Sequence, residues 1–135
     1  MDCFIGTWNL TESENFDAYL KELGVGVIQR KLMESAKPQI IVEKSGDKWK
    51  MSFVVVGKTI VTEFELDKEF EEKTGDGRHI KSVFHFSDGK LTQKQTAIKA
   101  GGKNTQIERW IEGDKMIAVG DCHGVKYRRV HQKAH

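Results

Sequence analysis

The sequence carries one proline, two cysteines and no long apolar run among its 135 residues. The lone Pro38, with no Pro-, Ser- or Gln-rich stretch, excludes a linker or disordered tail. No run approaches the roughly 20 apolar residues that cross a bilayer as a helix. Met1-Asp2-Cys3-Phe4-Ile5-Gly6 lacks the basic and apolar regions of a secretory leader. Cys3 and Cys122 therefore read as two free thiols in a reducing compartment, and a cytosolic location is expected. Neither sign of charge dominates. Lys plus Arg number 22 against 20 Asp plus Glu, a net charge of +2, which offers no concentrated basic face for nucleic acid.

Catalytic patterns are missing too. His79, His85, His123, His131 and His135 have no metal-ligand spacing with one another or with the cysteines. Cys122 and His123 are adjacent, which in a strand turns them to opposite faces. Asp76-Gly77-Arg78 lacks the spaced acids of a calcium loop, and no glycine-rich phosphate cradle occurs. An enzyme, a catalytic residue and a metal are all unexpected.

What is present fits one domain over residues 1–135, long enough to bury a core without staples. Phe16, Tyr19, Leu20 and Leu23 recur at helical spacing, with Ser13 or Asn15 as cap and Gly24 as a left-handed stop. A second helix is expected from Val27 to Ala36, carrying Val27, Ile28, Leu32 and Met33 and ending before Pro38. Gly24-Val25-Gly26 between them is a tight link or a flexible loop. From Gln39 the period becomes two. Trp49, Met51, Phe53 and Val55 share one phase, then Ile60, Thr62, Phe64 and Leu66, then Ile80, Ser82, Phe84 and Phe86. Turn signals at 45–47, 75–77, 87–89, 101–103 and 113–114 separate the runs. Many short strands joined by hairpins imply an all-β meander, a sandwich or an up-and-down barrel.

Polar residues intrude on the apolar phase. Arg109 lies between Ile107 and Ile111, while Arg129 and His131 share a phase with Val125 and Tyr127. Gln93 and Gln95 fall in one phase with Leu91. Either these faces meet solvent, which composition alone favours because arginine is almost never buried unpaired, or the sheet encloses a cavity with a polar end.

Gly6-Thr7-Trp8-Asn9-Leu10 with Asn15-Phe16-Asp17-Ala18-Tyr19-Leu20 resembles the N-terminal signature of the intracellular lipid-binding proteins, the cytosolic carriers of fatty acids and retinoids. The resemblance continues through Arg30, Lys37-Pro38, Gly46-Asp47, Glu69-Phe70, Thr74 to Arg78 and Lys81-Ser82 to the arginines at 109 and 129, and covers essentially the whole chain. A small insertion falls within 97–104. The resemblance implies a ten-stranded antiparallel up-and-down barrel with a two-helix lid inserted between the first two strands. It implies a monomer without a cofactor, carrying a long-chain fatty acid in an internal cavity, with retinoic acid or another apolar acid as the alternative. Retinol carriers tend to place glutamines where Arg109 and Arg129 stand.

By residue-wise match, Arg109 and Arg129 take the positions that hold the ligand carboxylate, and His131 stands where relatives carry the tyrosine of an Arg-x-Tyr motif. A contact between His131 and the headgroup would make affinity vary between about pH 5.5 and 7.5. A histidine at the rim or among ordered water is the plainer alternative. Cavity and portal positions fall on Phe16, Tyr19, Met33, Phe53 and Val55, and on Ile60, Asp76, Arg78, Gln95 and Tyr127. Gly57 stands where many relatives carry a portal phenylalanine, and either loosens the entrance or simply makes a turn. Phe53, Val55 and Ile60 suggest a drier, narrower pocket than in relatives. Lys21 and Lys31 on the helices either attract anionic ligands and membranes, giving transient contact through the lid, or form an ordinary solvated face.

Overall fold

The computed structural model describes residues 1–55, 57–74 and 78–134. The turn signal at 75–77, with Asp76, and His135 lie outside them. A single 3-10 turn, Asp2–Phe4, precedes β1 (Gly6–Glu14). Helices α1 (Phe16–Leu23) and α2 (Val27–Ser35) follow. Nine more strands complete the chain: β2 (Gln39–Ser45), β3 (Lys48–Val55), β4 (Lys58–Phe64), β5 (Phe70–Lys73), β6 (His79–Ser87), β7 (Lys90–Ala97), β8 (Thr105–Glu112), β9 (Lys115–Cys122) and β10 (Val125–Lys133).

The strands form one ten-stranded antiparallel sheet in the order β4-β3-β2-β1-β10-β9-β8-β7-β6-β5. Sequence neighbours pair except β4 with β5, and the chain closes by laying β10 beside β1. The barrel is nearly closed. Among the described residues β4 and β5 share no ladder, and this seam is filled by side chains: the Phe64 and Phe84 rings stack at 3.8 Å. Beyond β4, the Asp67 amide donates to the Phe84 carbonyl at 2.7 Å.

The end of the barrel remote from the helices is solid. Phe4, Trp8, Trp49, Phe64, Leu91 and Met116 are among its buried residues, and Trp8 Nε1 donates to the Phe4 carbonyl at 2.9 Å. At the other end α1 turns Tyr19, Leu20 and Leu23 onto Ala118, Cys122 and Tyr127. Gly24 ends α1 at φ 94, a left-handed turn that a side chain would strain, as the sequence suggests. Asn15 stands at the helix start, also left-handed at φ 60, but its side chain does not cap. Its Nδ2 donates to the Lys126 carbonyl at 2.7 Å and ties the helix to β10 instead. Ser13 belongs to β1, where its hydroxyl accepts from Arg129.

Helix α2 departs from expectation. It ends one residue early, and none of its residues is buried. Val27, Ile28 and Leu32 face solvent, Ile28 at 75 % exposure. Met33 packs against the α1 cluster, and Gln29, Leu32 and Met33 edge the cavity. The helical spacing is real, but no strand lies under most of that face. The two cysteines are unpaired, Cys3 exposed and Cys122 buried.

Candidate functional site

Strand pairing sets the polar end of the barrel. Arg109 of β8 and Arg129 of β10 are both ladder partners of Ala118 on β9. The two arginines therefore stand at one level, two strand spacings apart, about 9–10 Å between their backbones. One layer to the helix side sit Ile107, Gly120 and Tyr127; one layer to the other sit Ile111, Met116 and His131. Small residues at 118 and 120 leave room for the long side chains beside them. A methyl added at Gly120 would lie 2.1 Å from Tyr127 Cε2, so the tyrosine ring occupies the space that a larger residue would need.

Ile107, Arg109, Tyr127, Arg129 and His131 face a cavity of about 820 Å³, large among small-molecule sites of roughly 300–1,000 Å³. The expectation of a drier, narrower pocket than in relatives rests on Phe53, Val55 and Ile60. Those three line it, together with Phe16, Tyr19, Met33, Arg78, Gln95 and Tyr127. Gly57 does not. It sits in the β3–β4 turn at φ 77, with open space where a side chain would be. Gln93 lines the cavity, as its phase with Gln95 allowed, and Leu20, Leu23, Glu72 and Ile107 line it without having been marked as site residues by the sequence. Glu72 had a weak signal, the alternation of Phe70 and Glu72 against Glu71 and Lys73, too short to interpret in a four-residue strand.

Arg109, Arg129 and His131 are buried, at 4 %, 6 % and 3 % exposure. Solvent exposure, favoured by composition, is thereby excluded. Arg109 donates from Nη1 to Gln93 Oε1 at 2.9 Å, and its buried Nε finds no protein acceptor. Arg129 donates from Nε to Ser13 Oγ at 3.1 Å and lies 3.6 Å over the Phe16 ring, while its buried Nη2 has no partner. Neither ring nitrogen of His131 is hydrogen-bonded to the protein. Burial lowers the pKa of both arginines. Burial, then Arg109 and Arg129, pushes His131 from 6.5 down to about 4. The imidazole is thus neutral across pH 5.5–7.5, and its own titration lies below the window expected from the sequence.

Aromatic rings join this polar end to the lid. Tyr127 meets Tyr19 at 4.6 Å and Phe16 at 5.0 Å between centroids. The Tyr19 hydroxyl lies 2.6 Å from Thr105 Oγ1, which donates to the Asp121 carbonyl at 2.7 Å, so Tyr19 is the donor in the first bond.

Residues 5–134 match the model of the lipocalin / cytosolic fatty-acid binding protein family. The chain belongs to this family. Its members are carriers rather than enzymes. Fatty acid-binding protein homolog 6 of Caenorhabditis elegans is 42% identical over 126 residues, 93% of each chain. The structure of apo lipid binding protein 8 from the same nematode superposes with a TM-score of 0.96 at 31% identity, covering 99% of this chain and 97% of that one. The Schistosoma mansoni fatty acid binding protein, solved in complex with arachidonic acid, gives a TM-score of 0.93 at 35% identity over 100% of this chain and 98% of its own. In this family member, His131 sits in the buried polar end of the cavity rather than at its rim.

Proposed function

We propose that this chain binds a long-chain fatty acid non-covalently and transports it within the cytosol as a monomer, with the carboxylate between Arg109, Arg129 and His131. The observation that carries this is the set of buried donors without acceptors at one end of an apolar cavity: Arg109 Nε, Arg129 Nη2 and the His131 ring. Uncompensated charge in such a place costs several kcal/mol. A carboxylate accepts from all three groups and relieves that cost, each charge-assisted bond contributing roughly 1.5–3 kcal/mol. The relatives named for fatty acids, one of them holding arachidonic acid, support the same class of ligand.

The tail supplies most of the affinity. Roughly fourteen methylenes at about 0.8 kcal/mol each give about 11 kcal/mol before the costs of association. The arginines then select an acid over an alcohol and fix its direction. Retinoic acid is the runner-up, since it offers the same carboxylate and an apolar body. Val27, Ile28 and Leu32, exposed on α2 with Lys21 and Lys31 nearby in the lid, favour transient contact with an acidic membrane during loading and release.

Titration of the delipidated protein with oleate, retinoic acid and retinol, beside Arg129→Ala, tests this. Saturable oleate binding that weakens at least about tenfold in the variant is expected from the loss of one charge-assisted contact. Oleate binding that ignores the variant would move the headgroup towards the portal. Binding of none of the three would overturn the carrier function.

A further inference from the structure

Arg109 begins a directed chain of hydrogen bonds that ends beside an acid. Its Nη1 donates to Gln93 Oε1 at 2.9 Å, and Gln93 Nε2 donates to Ser82 Oγ at 3.2 Å. The Ser82 hydroxyl, whose proton stays free when Oγ accepts from Gln93, stands beside Glu72 and lowers its pKa. The chain runs along the barrel wall through β8, β7, β6 and β5, every donor pointing from the guanidinium towards the carboxylate. Ser82 is fully buried, and Arg109, Gln93 and Glu72 line the cavity.

One atom of this chain is left over. Glu72 Oε2 is buried and receives no hydrogen bond from the protein. It differs in kind from the orphans around Arg129 and His131, which include donors suited to an anion. Glu72 Oε2 is an acceptor, and a second carboxylate there would only repel it. Burial raises the pKa of Glu72, and the charges of Arg109 and Arg78 offset that rise only in part. A plain acyl tail passing this oxygen would leave it desolvated and unpaired, which is unfavourable. A hydroxyl group on the tail would satisfy it.

We propose that Glu72 forms a second polar subsite of the cavity, which accepts a hydrogen bond from a hydroxyl carried on the acyl chain, so that this barrel favours mid-chain hydroxylated fatty acids over unsubstituted ones. The proposal rests on the placement of the carboxylate at Arg109 and Arg129. The wall from β8 to β5 spans three strand spacings, about 14 Å, and the path across the curved interior is shorter. That distance from the headgroup falls along the middle of a long acyl chain rather than at its tip. The hydroxyl replaces the water that Glu72 Oε2 would otherwise hold, at no loss of hydrogen bonding to the acid.

The test compares stearate, a positional series of mid-chain hydroxystearates and the matching oxostearates, each titrated into delipidated wild type and Glu72→Gln. The variant keeps the shape and the place beside Ser82, but replaces the orphan oxygen with an amide donor. Wild type should bind its best hydroxystearate more tightly than stearate, and the corresponding oxo acid about tenfold more weakly than stearate, because two acceptors face each other. In Glu72→Gln the oxo acid should recover by about tenfold, since the amide now donates to it, while stearate changes little. Hydroxystearates weaker than stearate by the same factor in both proteins, with oxo acids unaffected by the variant, would overturn the Glu72 subsite and leave the carrier intact. Failure of stearate itself to bind wild type would overturn the carrier instead.

Discussion

Arg109 and Arg129, twenty positions apart, are ladder partners of the same residue, Ala118, and so face the cavity at one level from strands on either side of it. The separation follows from two successive hairpins, each with a two-residue turn, at Gly113-Asp114 and His123-Gly124. The small side chain between them is part of the site. Ala118→Leu should fill the space between the guanidinium groups and weaken oleate binding by more than tenfold, at a stability cost of about 1–3 kcal/mol from overpacking. Isothermal titration beside urea denaturation separates the two effects.

A buried arginine held for a ligand should burden the empty protein. Arg109→Leu removes the charge and its unpartnered Nε, and should leave the ligand-free protein as stable as wild type or more stable, in the direction seen when buried charges give way to apolar groups. Oleate should then raise the melting temperature of wild type and hardly that of the variant. Thermal melts with and without oleate measure both.

His131 gives the fold a pH dependence whose sign can be worked out. Its pKa in the folded barrel is about 4 against an ordinary 6.5. Above 6.5 the imidazole is neutral in both states and contributes no difference. As pH falls from 6.5 towards 4, the unfolded chain takes up a proton that the folded one refuses, and stability declines by up to about 3 kcal/mol. His131→Phe should lose this part of the acid sensitivity. Urea unfolding of the two proteins at pH 7 and pH 4.5 checks it, and parallel losses would remove His131 as the cause.

The two lid helices are held differently. Tyr19 ties α1 to Thr105, whereas α2 buries no residue. Tyr19→Phe should cost about 1 kcal/mol of stability and speed ligand release, both visible by denaturation and stopped-flow displacement. Ile28→Ala, on the exposed face of α2, should change stability by less than about 0.5 kcal/mol while slowing transfer of ligand to anionic vesicles.

The barrel was legible because its strands alternate. Trp49, Met51, Phe53 and Val55 share the inward phase that alternation alone marks, whereas Trp110, on the other face from Arg109, bonds Glu112 and meets Lys90. The arginines were legible only in part. Alternation gave them one phase with apolar residues, composition favoured exposure of that face, and the resemblance to lipid-binding proteins argued for burial. Helix α2 misled because helical spacing shows which residues share a face but not whether anything covers it. Glu72 escaped because four residues of strand hold too little pattern to mark a phase, and its partners Ser82, Gln93 and Arg109 come from three other strands.

The measurement that bears most directly on the headgroup site is a pH titration of carboxyl-¹³C-labelled oleate bound to the protein, followed by NMR. A carboxylate between Arg109, Arg129 and His131 should stay ionised well below the ordinary carboxylate range near pH 4–5, and its resonance should shift in His131→Phe. A bound carboxyl signal that titrates like the free acid and ignores that substitution would place the headgroup in solvent at the portal and contradict the site.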